Sequence, residues 1–291
     1  MISNKRRNLL ERIIESIFLV CAALSILSVI VITIYVFAKG SPAIFKVGVL
    51  NFLFGTVWQP EANQFGILPM IVSSVLGTIG AVVIGVFIGL FTAIFLAEIA
   101  PKKLAELIRP AVELLAGIPS VVFGFFGLMV LVPIISKYFG GAGNSLLAVI
   151  IILSVMILPT VISMSETSIR AVQPTLKEGS LALGASHIQT IFKVIIPAAK
   201  SGIMASIVLG TGRAIGETMA VILVSGNTAL IPHAITDRVR TMTANIALEM
   251  GYASGLHQET LFATGVVLFI FIMLLNITLN ILLHRRDGEE A

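Results

Sequence analysis

The sequence predicts an all-α polytopic transmembrane bundle of about six spans, with both termini on the cytoplasmic side, and three observations carry that expectation. Of 291 residues, 57% are hydrophobic and only 12% charged, with a mean hydropathy of +1.05; an ordinary soluble domain carries about 25% charged residues. The apolar residues fall in runs longer than about 18, too long for the core elements of a soluble domain. Thirteen of the nineteen Lys and Arg, from Lys5, Arg6, Arg7 and Arg12 to Arg285 and Arg286, lie on one set of connections and five on the other. By the positive-inside rule the richer set is cytoplasmic, which agrees with an even number of crossings.

Taken in order, the elements are a basic cytoplasmic N-terminus (1–15), spans at 16–38, 69–99, 112–135, 145–163, 201–226 and 260–283, and three longer connections. Each span is long enough at about 1.5 Å per residue to cross a hydrocarbon core of about 30 Å. The connections are an outer loop at 39–68, a cytoplasmic loop at 164–200 and a second outer loop at 227–259, with residues 60–283 forming one core domain. Cys21 is the lone cysteine, so no intrachain disulfide or thiolate cluster is available, and the apolar run through it reads as an uncleaved first span. Trp58 in the first outer loop reads as an aromatic anchor at headgroup depth. Glycines within the spans, including Gly85, Gly89, Gly124, Gly127 and Gly210, allow close helix packing.

Several function classes are excluded. No GxxxxGK[ST] loop occurs, and no HExxH or GxSxG, so no catalytic residue and no metal ligand set is assigned. Gly210-Thr-Gly212-Arg-Ala-Ile-Gly216 imitates a dinucleotide fingerprint, but its last gap is one residue too long and it lies in an apolar helix. The net charge of +4 is dispersed at the ends of apolar runs and makes no nucleic-acid patch. The four histidines have no partners at metal-ligand spacing and read as polar surface or interface groups, with His284 a cation at a helix C-terminus.

Arg213 and Glu217 lie near the middle of the fifth span. A central charge costs about 2.5–3.5 kcal/mol even on the lenient insertion scale, so both should face protein or water. Four-residue spacing puts them on one helix face within reach of each other, in a stripe with Ser206, Gly210 and Ala220. The pair either neutralises itself and knits the bundle, or Arg213 offers its forked donors to an oxyanion while Glu217 holds it and tempers its affinity. Ser120, after Pro119 at the start of the third span, is a further pathway candidate, because proline frees backbone groups near a cavity. In the second outer loop, 241–250 has helical periodicity and suits a cap over the pore mouth or a contact with a partner.

In the cytoplasmic loop, charges alternate with Leu181, Leu183, Ile188, Ile191, Phe192 and Val194, the pattern of short amphipathic helices that dock in a partner's groove. Glu178, Gly184, Val194, Ile196 and Pro197 fall in the register of the EAA motif, so the segment resembles the coupling loop of type I ATP-binding-cassette importer permeases; Gly179-Ser180 stands where that motif has Ala-Ala. Asn63-Gln64-Phe65-Gly66, Gly117-Ile-Pro119-Ser120, Ile157-Leu-Pro159 and Gly212-Arg-Ala-Ile-Gly-Glu-Thr-Met-Ala220 extend the likeness over about residues 60–283 to the phosphate-specific permease family PstC, and Thr218-Met219-Ala220 departs from the Ala-Pro continuation usual in its sister family PstA.

That resemblance implies a type I importer fold and a permease forming half of a phosphate pathway, with Arg213, Glu217, Thr218 and Ser120 along it. It implies Glu178, Gly184, Val194, Ile196 and Pro197 at the ATPase interface, PstA as the second permease, a PstB ATPase dimer holding ATP and Mg, and PstS delivering phosphate from outside. The chain itself would hold no cofactor and sit in a bacterial or archaeal plasma membrane. Two rival expectations stand beside it: a permease of this type for molybdate, sulfate or phosphonate, and an ion-coupled secondary transporter in which Arg213 and Glu217 relay a proton or ion. A role in sensing phosphate status is compatible with either.

Overall fold

The computed structural model describes residues 4–287, and it is built almost wholly of helices. The side chains of Lys5, Arg6, Arg7, His284, Arg285 and Arg286 lie outside the described ones. α1 (Asn4–Val47) runs unbroken through Cys21 and passes Pro42 near its end. Residues 11–32 are exposed on all sides, and the outer part of α1 packs against α14 (Gly255–Asp287) through edge-on contacts of Tyr35 with Phe262 and Phe37 with Phe269. After α2 (Val49–Phe54) a short hairpin follows, β1 (Trp58–Gln59) against β2 (Gln64–Phe65), with Asn63 at φ 54 in its turn, a left-handed conformation that Asn tolerates.

α3 (Leu68–Ile94), with a π turn at Phe95–Ile99, and α7 (Leu146–Arg170) form the scaffold. Their backbones approach across glycines: a Cβ on Gly85 would stand 2.6 Å from Ile157. α7 stays helical through Pro159, and Ser145 caps its outer end by accepting from the Ala148 N–H. α11 (Lys200–Gly216) packs against both, joining Ala93 and Ile94 of α3 through Ile203 and tied to α7 where Ser206 and Ser165 share a buried hydrogen bond of 2.9 Å.

Two predicted spans are revised. The third was expected at 112–135, but Val112 belongs to α4 (Lys102–Gly117), and the apolar helix begins anew at Ser120 as α5 (Ser120–Phe126), passing through a π turn (Gly127–Leu131) into α6 (Val132–Phe139). The reason is Pro119, which lacks an N–H and drives Ile118 out of the helical region to ψ 127. The fifth, expected unbroken at 201–226, stops at Gly216 and resumes as α12 (Met219–Val224), with Glu217 extended at φ −68, ψ 130.

Among the described residues, five helices are long and apolar enough to cross a membrane, and a sixth candidate joins His187–Ala198 to Lys200–Gly216 across a bend of 69°. The contacts favour a different sixth crossing. The Ser145 N–H donates to the Val224 carbonyl at 3.1 Å, so α11 and α12 together reach the outer end of α7.

The predicted outer-loop helix is α13 (Met242–Glu249), N-capped by Thr241 and largely buried. Before it, Asp237 accepts from the His233 and Ala234 N–H groups at 2.8 and 2.9 Å, and those two bonds hold its carboxyl below the usual carboxylate range.

Candidate functional site

α5 and α12 lie side by side and parallel: a Cβ on Gly124 would stand 2.7 Å from the Ala220 Cα, and Gly127 faces Val224. One turn before Gly124 lies Ser120, at the start of α5, and one turn before Ala220 lies Glu217. The break at Ile118-Pro119 and the break at Glu217-Thr218 are therefore at the same level of the bundle. Glu217 uses its carboxylate to accept from the Ala220 N–H at 3.1 Å, satisfying a donor that the restarted helix leaves free, while the Thr218 hydroxyl donates to the Gly216 carbonyl at 3.2 Å. The Glu217 carbonyl accepts from the Thr243 hydroxyl of α13 at 3.0 Å.

The expected Arg213–Glu217 pair does not form. The break turns Glu217 out of the four-residue register, and Arg213, half-buried, makes no ion pair or hydrogen bond among the described residues. The continuous pathway stripe is also revised: Ser206 is fully buried against Ser165, and Gly210 packs on Val161, so that part of the face is packing against α7.

The cytoplasmic loop folds as short helices, α8 (Pro174–Ala182), α9 (His187–Thr190) with a π turn at Ile191–Ile195, and α10 (Ile196–Ala198). Gly184 turns the chain between α8 and α9 at φ +86, and a Cβ there would meet nothing, so the residue is needed for its backbone conformation and not for space. Ser186 and Gln189 form a capping box, and Ser180 meets Thr190 at 3.0 Å.

Glu178, Gly184 and Pro197 are exposed; Val194 and Ile196 are half-buried, Ile196 packing on the cluster of Ile169, Ile191, Ile195 and Ile203. The loop's outward apolar face is instead Leu176, Leu181, Leu183, Ile188 and Phe192, with Leu183 91% exposed. Glu98, in the π turn after α3, fixes the loop to the bundle by pairing with Lys177 of α8, with His187 of α9 at 3.9 Å.

Two polar clusters were not anticipated. At the inner end of α7, Glu166 Oε1 accepts from Arg109 Nε at 2.7 Å and Arg170 Nε at 2.8 Å. On the outer side, Glu249 accepts from Arg240 at 2.6 Å and from the Trp58 indole at 2.8 Å, and lies 2.8 Å from His257 Nε2. Trp58, read from the sequence as an interfacial ring, is thereby also tied into the protein through its indole N–H. The Glu249 cluster borders an outer cavity of about 890 Å³, with Tyr252 and Asn227 on its walls.

Residues 85–287 match the family described as "Binding-protein-dependent transport system inner membrane component". The chain belongs to this family. The permease is 40% identical, over 98% of its length and 95% of the relative's, to the probable ABC transporter permease protein YqgH of Bacillus subtilis. It is 31% identical over the full length of both chains to the phosphate transport system permease protein PstC of Haemophilus influenzae, and 34% identical to that of Mesorhizobium japonicum over 89% and 86% of the two chains.

Among solved structures, the permease resembles the inward-facing MetNI methionine ABC transporter (TM-score 0.62, 20% identity, 79% and 99% of the chains). It also resembles a bacterial ABC transporter involved in the import of the acidic polysaccharide alginate (TM-score 0.64, 16% identity, 96% and 99%). The fold is thus that of ABC importer permeases, and the permease is a multi-pass membrane transport subunit.

Proposed function

We propose that this permease is the PstC-type subunit of an ATP-driven phosphate importer, forming half of the translocation pathway. The observation that carries the reading is Arg213, a half-buried guanidinium without a partner among the described residues, beside two helix breaks at one level. A guanidinium without a carboxylate to occupy it offers forked donors that match a tetrahedral oxyanion. Glu217, held at the restart of α12, keeps negative charge near enough to limit the affinity, so that the anion leaves as well as enters. Thr218 and Ser120 contribute hydroxyls at the same level. The full-length likeness to proteins named as phosphate permeases supports phosphate as cargo.

The remaining parts are partners. A PstA-type permease completes the pathway, a PstB-type ATPase dimer holds ATP and Mg²⁺ and receives the face of Leu176, Leu181, Leu183, Ile188 and Phe192, and a PstS-type binding protein delivers phosphate from outside a bacterial plasma membrane. Glu178, Gly184, Val194 and Pro197 belong to that ATPase contact, whereas Ile196 sets the loop on the bundle. This chain performs no covalent chemistry; ATP binding to the partner shifts the bundle between two conformations with different affinity for the anion.

The test is uptake of labelled phosphate, sulfate and molybdate into vesicles holding all four proteins. ATP-dependent entry of phosphate alone, lost in Arg213→Ala with the complex intact, is the expected result. Selective uptake of another oxyanion overturns the cargo, and entry down an ion gradient without the ATPase overturns the coupling.

A further inference from the structure

The inner cluster at Glu166 lines a cavity of about 280 Å³ between the end of α3, α4 and the inner end of α7, bordered by Arg109, Glu113, Ser163, Glu166, Thr167 and Arg170. Its construction begins with an orphaned carbonyl. In the π turn the Phe95 carbonyl receives the Ala100 N–H at 2.7 Å, and the next carbonyl, Leu96, would look to residue 101, which is proline and has no N–H. Arg170 Nη2 at 2.8 Å and Arg109 Nη2 at 3.4 Å donate to it instead. Both guanidinium groups thus use Nε on the single Glu166 oxygen and one Nη2 hydrogen on Leu96, and an arginine has five donors, so three on each are left without a partner among the described residues.

Glu166 is 9% exposed and offsets only one of the two positive charges, which are 34% and 47% exposed and reachable from the cavity. Glu113, exposed and without an ion pair among the described residues, stands on the wall and opposes an anion there. The cavity's depth is equally informative. From Ser145 at the outer end to Glu166, α7 covers about 32 Å at about 1.5 Å per residue, close to the full hydrocarbon thickness of about 30 Å. The spare donors therefore sit at the level of the inner-leaflet headgroups.

We propose that this cavity is a phosphoryl-binding site on the cytoplasmic side, with Arg109 and Arg170 as its donors and Glu113 limiting its affinity. It is separate from the Arg213 pathway and does not depend on the identity of the cargo. A phosphoryl group at this depth comes from a phospholipid headgroup or from free inorganic phosphate in the cytoplasm, and the two sources are separable by experiment.

The test is native mass spectrometry of the intact transporter complex in neutral detergent, titrated separately with phosphatidylglycerol and with orthophosphate. Arg170→Gln leaves Glu166 paired with Arg109, and should weaken binding about tenfold through loss of charge-assisted bonds. Glu113→Gln alters an exposed group without an ion pair among the described residues, and should tighten binding about threefold by removing a nearby like charge. Both changes seen with phosphatidylglycerol establish the lipid as ligand; both seen with orthophosphate alone establish free phosphate. Binding of both ligands unmoved by Arg170→Gln, or weakened by it but unmoved by Glu113→Gln, overturns the proposal.

Discussion

Arg170 and Arg213 are both partly buried arginines in helices of the same bundle, yet the protein treats them in opposite ways. Arg170 meets Glu166 and the Leu96 carbonyl, and Arg109 meets the same two acceptors, so three chain segments are tied together at the inner end of α7. Arg213 meets nothing among the described residues, and its sequence neighbour Glu217 is turned away to serve the α12 backbone. Removing a paired group leaves its partners uncompensated, whereas removing an unpaired one leaves nothing behind. The contrast separates a charge that maintains structure from one free to act on a ligand.

The sharpest way to break this contrast is to truncate one residue in each region. Glu166→Ala strands two guanidinium groups and should cost about 3 kcal/mol, discounted for their partial exposure, read as a lower unfolding temperature in detergent and reduced yield. Arg213→Ala should change stability by less than about 0.5 kcal/mol, as expected of a site without partners. If the two substitutions destabilise equally, Arg213 has a structural partner and loses its claim to the pathway.

The coupling loop gives the next two effects. Gly184→Ala forces a Cβ into a left-handed turn at a cost of about 1–2 kcal/mol, which should loosen the α8–α9 turn and appear as faster local hydrogen exchange. Leu183→Asp changes a side chain that is 91% exposed, so the melting temperature should hold while ATPase co-purification falls about tenfold or more. Equal loss of co-purification in a control at an exposed outer residue would show that the surface assignment is wrong.

What the sequence disclosed and what it concealed divide along local and distant interactions. Apolar runs marked the spans because hydropathy is a local sum, and the α13 helix was legible because its periodicity at 241–250 is a local pattern too. The break at Glu217 was not, since Gly216-Glu217-Thr218 lies in an otherwise apolar helical run, and the groups that satisfy the interrupted backbone include Thr243, 26 residues away. Arg109 and Glu166 are 57 residues apart, and nothing periodic links them. A signal did exist for half of that cluster: Glu166-x-x-x-Arg170 is an i,i+4 pair at a helix end. Pro119 likewise announced the end of α4, but the apolar composition on both sides of it concealed the boundary.

The smallest effect tests whether α13 is coupled to the break it covers. The Thr243 hydroxyl is the donor to the Glu217 carbonyl, and Thr241 and Thr243 also face each other at 3.1 Å, so the N-terminus of α13 is held against the interrupted span. At its other end Glu249 gathers Arg240, Trp58 and His257 from three separate segments, which fixes α13 to the outer surface. A force applied to that surface therefore has a contiguous route to Glu217 through one two-turn helix. Thr243→Val keeps the shape and removes the donor, and should cost about 1 kcal/mol of stability, the ordinary net value of a buried hydrogen bond. If α13 only fills space, transport and ATPase stimulation by the binding protein should follow that small loss of stability and nothing more. If it transmits, Thr243→Val should lower stimulation by the binding protein several-fold while leaving basal ATP hydrolysis unchanged, and Thr243→Ser should restore it.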